Sequence, residues 1–81
     1  MRDYEYNILA KTLGVTNKLP KKFSKNVLLV EEFYVTSELC NLRQKKLMDR
    51  TVDDSCFKYY VTEKGVCEFR KEFKKRSIYV K

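Results

Sequence analysis

Apolar positions at the start of the chain recur at the spacing of an amphipathic helix. Leu9 and Leu13 lie one turn apart, behind Asp3, a residue type well suited to cap a helix N-terminus. Gly14 follows directly, at the place where many helices end. This pattern predicts a first helix over residues 3–13.

The next apolar stretch fits two structures. Phe23, Val27, Val30 and Tyr34 form a stripe at helical spacing, whereas the run from Val27 to Val30 alone is typical of a buried strand. Periodicity cannot separate the two in so short a run, and we predict a second helix over residues 24–34. A strand there stays open as the alternative, and it would displace the helix pair on which the functional interpretation rests.

A third helix is predicted over residues 36–46. Thr36 or Ser37 can cap its start, and Leu39 and Leu42 fall on one face. The other face is polar, which is the composition of a solvent-exposed or ligand-binding surface. Its members are Ser37, Asn41, Gln44 and Lys45.

The second half of the chain changes to a strand pattern and then returns to helix. Alternating aromatic and β-branched residues predict a hairpin over residues 47–61, turning at residues 53–55. Thr62 then caps a helix predicted over residues 63–76. Residues 77–81 are strand-like, and we expect this tail to pair with another strand or to dock on a second subunit.

Composition limits the class of protein. Eighty-one residues accommodate a single domain, residues 1–81, and the apolar fraction of 43% is enough for a globular core. The 18 Lys and Arg outnumber the 11 Asp and Glu, giving a net charge of +7 that attracts polyanions, nucleic acid first. No apolar run can cross a bilayer, so we expect a cytoplasmic protein, nucleoid-associated or in the host cytoplasm if viral.

Catalytic and metal-binding chemistry have few residues to draw on. The chain has no His, which removes His-dependent nucleophilic and general-base catalysis and His metal ligands. Its three cysteines, Cys40, Cys56 and Cys67, include no Cys-x-x-Cys pair, so neither a disulfide framework nor a zinc site is expected. We predict no enzymatic activity, no metal and no cofactor.

Two stretches carry a resemblance to a known fold. Residues 39–48, with the pattern Leu-x-x-Leu-x-x-x-Lys-Leu-Met, resemble the end of a recognition helix running into a first wing strand. Residues 59–65 resemble the second wing strand entering the last helix through a Thr-x-x-Gly turn. Both are similar to the winged-helix domains of bacterial and archaeal transcription regulators, closest to the PadR and MarR families. The family's usual Gly before the first wing strand is Lys46 here.

The resemblance implies an α+β, winged helix-turn-helix fold. Its three-helix core would be followed by a two-stranded wing and a final helix, and the helix at 36–46 would lie in the DNA major groove. Asn, Gln, Ser and Lys side chains can bond base edges, and basic side chains contact phosphates. The candidates for base reading are Ser37, Asn41, Gln44 and Lys45. The candidates for phosphate contact are Lys21, Lys22, Lys25, Thr36, Arg43, Arg50 and Lys58.

We therefore expect a small, sequence-specific double-stranded DNA-binding transcriptional regulator, encoded by a phage or mobile element. A homodimer on a near-palindromic site would supply specificity that one small domain lacks. The apolar residues predicted for that interface are Tyr4, Tyr6, Ile8, Ile78, Tyr79 and Val80.

One feature favours a different class. Asp53 and Asp54 form the predicted wing tip, with Asp49 nearby, where a wing that contacts DNA should be basic. A module that binds a host protein, such as a phage-type inhibitor or adaptor, therefore stays as an alternative, as does a nonspecific nucleic-acid-binding protein.

Overall fold

The structure, a computed structural model, describes residues 1–31, 34–54 and 56–79. The helices and strands along these residues give an α+β fold, the class that the sequence predicts. The elements in chain order are α1 (Asp3–Leu13), β1 (Leu28–Glu31), α2 (Ser37–Gln44), β2 (Met48–Asp53), β3 (Cys56–Val61) and α3 (Glu63–Tyr79).

The three strands form one antiparallel sheet in the order β1-β3-β2. The hairpin β2–β3 pairs Met48 with Val61 and Asp53 with Cys56, as predicted for residues 47–61. On β3, Tyr59 and Val61 are buried toward the helices. Lys58 and Tyr60, which alternate with them along the strand, face outward and are exposed. This alternation is expected of a sheet with one covered and one solvated face.

The helix predicted over residues 24–34 is wrong, because β1 occupies its centre. Leu28 and Val30 pair with residues of β3 and are half-buried, while Leu29 between them is 63% exposed. A period of two in burial is the mark of a strand. The partner strand lies about 30 residues away in the chain and decides between two structures that the local pattern leaves open.

An asparagine joins the preceding loop to the sheet. The Asn26 side-chain amide donates to the Val61 carbonyl at 3.0 Å, and its carbonyl oxygen accepts from the Val61 N–H at 2.7 Å. These two bonds are the ones that a strand residue would make to its partner. Asn26 thus continues the pairing of β3 beyond the end of β1.

Helices α1 and α2 end in the same way but with different residues. In each, a backbone N–H just beyond the helix donates a hydrogen bond to a carbonyl near the helix end. The Val15 N–H donates to the Ala10 carbonyl after α1, and the Leu47 N–H donates to the Leu42 carbonyl after α2. The residue before each of those donors is left-handed, with φ of 69° at Gly14 and 62° at Lys46. The backbone at Lys46 therefore has the conformation that glycine adopts most easily.

Several helix boundaries depart from prediction, and α2 runs from Ser37 to Gln44 instead of over residues 36–46. Helix α3 runs to Tyr79 instead of ending at residue 76, so the tail predicted as strand-like is helical as far as it is described. Residues 80 and 81 lie outside the described part. Arg2, not Asp3, is the cap residue of α1, and its N–H donates to Glu5 Oε1 at 2.9 Å.

The core lies between the sheet and the three helices. The largest fully buried side chains include Leu9, Leu13, Leu42, Tyr59 and Phe69, which come from α1, α2, β3 and α3. Tyr6 stacks on Phe69 with ring centroids 5.1 Å apart. Burial of large apolar side chains from every layer is the main source of stability in so small a domain.

The Thr-x-x-Gly motif joins α3 to the end of α2. Thr62 Oγ1 donates to the Lys46 carbonyl at 2.6 Å and accepts from the Gly65 N–H at 3.1 Å, while the Thr62 N–H donates to the Leu47 carbonyl. A Cβ at Gly65 would lie 2.1 Å from the Leu47 carbonyl oxygen. Only glycine lets the helix approach that backbone so closely.

Candidate nucleic-acid interface

The exposed face of α2 is polar and well supported from beneath. Leu39 and Leu42 are buried, whereas Ser37, Asn41 and Gln44 are exposed at a spacing that puts them on the opposite side of the helix. Thr36 caps the helix, because its Oγ1 accepts from the Leu39 N–H at 3.2 Å. Three of the four residues predicted to read bases therefore share one solvent-facing surface.

The fourth, Lys45, is engaged elsewhere. Its Nζ lies 2.6 Å from Glu5 Oε2 on α1, and the Glu5 side chain is only 3% exposed while that of Lys45 is 50% exposed. Burial works to raise the pKa of the Glu5 carboxyl. The hydrogen bonds from Lys45 and from the Arg2 N–H outweigh that effect, so the pKa lies below its usual value of 4.5. Lys45 compensates a buried charge, and contact with a base would require breaking that pair.

Two of the predicted phosphate contacts on and after α2 also have intramolecular partners. Arg43 lies 3.7 Å from Asp49. Arg50 Nη1 donates to Tyr59 Oη at 3.2 Å, and its guanidinium lies 4.4 Å from the centre of the Phe57 ring. Lys58 is exposed on the outer face of the sheet, away from α2. The cations around α2 are thus partly neutralised or tied to the sheet.

A second basic surface is formed by the loop between α1 and β1 together with α3. Arg70 of α3 holds the loop, because its Nη1 and Nη2 donate to the carbonyls of Pro20 at 3.1 Å and Lys21 at 2.9 Å. Its guanidinium also lies 4.5 Å from the centre of the Phe23 ring. These contacts join segments about 50 residues apart and fix the loop against the helix.

Seven lysines of this region are exposed and, within the described residues, make no ion pair. They are Lys18, Lys21, Lys22 and Lys25 in the loop and Lys71, Lys74 and Lys75 on α3. The predicted phosphate contacts Lys21, Lys22 and Lys25 are among them. The position of the α3 lysines beside this loop was not predicted from the sequence.

An open groove of about 630 Å³ runs between the loop and α3. Lys18 lies on one wall and Lys74 on the other, and no acid is among the described residues that line it. Leu19 and Phe73 form its apolar floor. We call this feature the lysine groove.

The residues predicted for a dimer interface are in part used within the chain. Tyr6 stacks on Phe69, and the Arg76 guanidinium lies over the Tyr6 ring, 4.3 Å from its centre. Ile8 packs against the core, and Tyr4 is half-buried. Ile78 and Tyr79 fall in the last turn of α3, but their side chains, like residue Val80, lie outside the described part of the chain.

The hairpin tip has the acidic composition that the sequence shows. Asp54 is exposed and left-handed, with φ of 52°, and Ser55 lies outside the described residues. On the neighbouring strand Asp49 faces Arg43. A tip of this charge is repelled by phosphates, so α2 and the lysines are the surfaces that suit a polyanion.

In the ranges that the structure describes, no helix has the length and apolar content needed to cross a membrane. Those ranges also contain no group of three or more Cys, Asp or Glu residues arranged to hold a metal ion. Comparisons of the chain with models of protein families, with curated proteins and with solved structures gave no match.

Proposed function

We propose that the protein binds double-stranded DNA and reads its sequence with the exposed face of α2, as a small, non-enzymatic transcriptional regulator. The observation that carries the proposal is the row of Ser37, Asn41 and Gln44 on the side of α2 opposite its buried leucines. The major groove is wide enough for one helix, and Asn and Gln can each bond adenine through two atoms.

A winged-helix arrangement is part of this proposal. It is supported by the order of α2, the hairpin β2–β3 and α3, by the left-handed Lys46 after α2, and by the close approach at Gly65. The predicted helix partner of α2 is replaced by β1, so α2 is braced by α1 and β2 instead of by a helix-turn-helix pair. Rigid support of this kind is what a reading helix requires.

The proposal revises the set of contacting residues. Lys45 is assigned to the ion pair with Glu5, and the base-reading set becomes Ser37, Asn41 and Gln44. Thr36 at the helix start can offer its hydroxyl to a phosphate, since helix N-termini favour anions. A homodimer on two half-sites about 34–36 Å apart would multiply the information read by one short helix.

The test is selection from a random duplex library by the wild type and by an Asn41→Ala, Gln44→Ala variant. Enrichment of one sequence by the wild type, lost in the variant while nonspecific affinity is kept, supports reading by α2. Glu38→Gln is the matched control, because Glu38 is exposed on the flank of the same helix. A preference that survives in the double variant, or no preference in the wild type, would refute the assignment.

A second candidate is a protein-binding module, favoured by exposed apolar side chains on and near the sheet. Leu29 and Val52 are each 63% exposed, and Tyr34 is 70% exposed. A protein partner would cover these apolar side chains, whereas DNA binding does not account for their exposure. Loss of a captured partner on Leu29→Ser and Val52→Ser substitution, with DNA affinity unchanged, would favour this candidate.

A further inference from the structure

We propose that the lysine groove is a second contact surface for duplex DNA, which binds the phosphate backbone without reading sequence. The inference rests on the proposed DNA-binding function but uses a surface separate from α2. Its basis is the juxtaposition of Lys18 and Lys74 across one groove, with Arg70 holding the two walls together.

The fold builds this groove; it is not a chance cluster on a loose loop. The Arg70 guanidinium bonds two successive loop carbonyls, those of Pro20 and Lys21, and stacks on Phe23. Phe23 in turn packs edge-on against the buried Phe69, with centroids 6.4 Å apart. The loop lysines are therefore placed by a chain of contacts that leads into the core.

Ion pairs compensate several of the cations that lie outside the groove. Lys45, Arg43 and Arg76 each lie within 4 Å of a carboxylate. Glu72, the acid closest in sequence to Lys74, is directed to Arg76 and the N-terminal amine. Among the described residues, seven of the exposed lysines without an ion pair lie at the groove and its flanks, and Lys11, Lys46 and Lys64 lie elsewhere.

The chemistry of the lining suits a sugar-phosphate strand. Lysine ammonium groups bind phosphates as point charges, and each one that does so releases condensed counterions. Leu19 and Phe73 between the lysines offer an apolar floor against which sugars can pack. Lysine contacts to phosphate carry no sequence information, so this surface would raise affinity uniformly over all sequences.

The experiment measures affinity for a random-sequence duplex by fluorescence anisotropy over a salt series. The variants are Lys18→Gln, Lys74→Gln and the double substitution. The control is Lys64→Gln, which removes the same charge from an exposed position of α3 that lies outside the groove, about 15 Å along the helix from Lys74. Thermal unfolding of each variant verifies that the fold is retained.

We expect the slope of log affinity against log salt to be less negative by about 0.9 for each single groove substitution, and by about 1.8 for the double substitution. The affinity deficit of the double variant should therefore shrink about 12-fold between about 50 and about 200 mM salt. Lys64→Gln should leave the slope unchanged. Equal slopes for the groove variants and the control would overturn the proposal.

Arg70 has a positioning role that a second variant tests. Arg70→Lys keeps the charge but loses the two-pronged bond to the loop carbonyls. We expect several-fold weaker binding with an unchanged salt slope, and faster amide exchange over residues 19–25. Weaker binding without faster exchange would show that Arg70 does not act through the loop.

The outcomes separate this proposal from that for α2. A wild type without sequence preference whose salt slope still depends on Lys18 and Lys74 would refute reading by α2 and leave the groove assignment standing. If the wild type shows a sequence preference and the groove variants have the same salt slope as Lys64→Gln, reading by α2 is supported and the groove assignment is refuted. Lysine-dependent binding to vesicles with anionic lipid, with no lysine-dependent binding to DNA, would show the polyanion to be a membrane and refute the proposal.

Discussion

The protein has two basic regions, and they differ in what surrounds their charges. At the junction of α2 and α3, Lys45 is bound to the buried Glu5, and backbone contacts of Thr62 and Gly65 lock the two helices together. In the lysine groove, Lys18 and Lys74 are exposed, and no acid is among the described residues that line it. The difference indicates that Lys45 stabilises the fold, while the lysines of the groove are available to a ligand.

Substitution at the junction should have the largest effect on stability. In Gly65→Ala the new methyl group would meet the Leu47 carbonyl oxygen and Val61 Cγ1, and relief requires moving backbone. We expect a loss of about 3 kcal/mol in the free energy of unfolding and a fall of about 12–24 °C in melting temperature. Cys67→Ala, at an exposed position of the same helix, should change little. An unaltered melting temperature in Gly65→Ala would contradict the close approach.

Removal of the buried acid should have the next largest effect. Glu5→Gln leaves Lys45 without its partner, and since that lysine is half exposed we expect a loss of only about 1–2 kcal/mol at neutral pH. Urea titration of both proteins measures it. Glu38→Gln, at an exposed acid, serves as the control.

The same carboxyl gives the stability a defined pH dependence. The pKa of Glu5 is lower in the folded than in the unfolded chain. The ionised carboxylate therefore stabilises the folded state fully above about pH 4.5, and this stabilisation is lost as the pH falls through the pKa of the folded state. We expect the difference in stability between wild type and Glu5→Gln to narrow over that acidic range. A difference that stays constant on acidification would show that the ion pair does not set it.

The left-handed residue after α2 offers a smaller effect of opposite sign. Lys46→Gly should stabilise the protein by about 0.5–1 kcal/mol, since a side chain at positive φ is strained and glycine is not. Gly14→Ala, at the equivalent position after α1, should destabilise it by a similar amount. Chemical denaturation of the two variants checks both signs, and two changes of the same sign would contradict the shared geometry.

The groove substitutions should have the smallest effect. Because neither Lys18 nor Lys74 makes an ion pair among the described residues, Lys18→Gln with Lys74→Gln should alter the free energy of unfolding by no more than about 0.5 kcal/mol. A scan of thermal unfolding measures the change. A large destabilisation would show that these lysines stabilise the fold, as Lys45 does, and would contradict the difference between the two regions.

Elements with a strong local signal were predictable from sequence, and those that depend on distant partners were not. Helices α1 and α2 and the hairpin follow from periodicity, caps and turn residues, all within a few positions of one another. Strand β1 depends on β3, and the last turn of α3 continues through residues whose composition favours strand. Pairing with β3 decided the structure of β1, where the local pattern left helix and strand open.

The candidate site divides along the same line. Exposure of Ser37, Asn41 and Gln44 follows from the helical period, and the structure confirms it. The partner of Lys45 lies 40 residues away, and the loop contacts of Arg70 lie about 50 residues away. An acid in the first turn of a helix is favoured by the helix dipole alone, so the position of Glu5 in the sequence does not reveal its basic partner.

The bond pair of Asn26 bears on how copies of this chain behave toward one another. β1 covers only part of the edge of β3, and beyond it Val61 would present an open N–H and carbonyl. Such unpaired groups are a template for edge-to-edge association and aggregation. By bonding both groups with its side chain, Asn26 closes the edge of β3 at that point without lengthening β1.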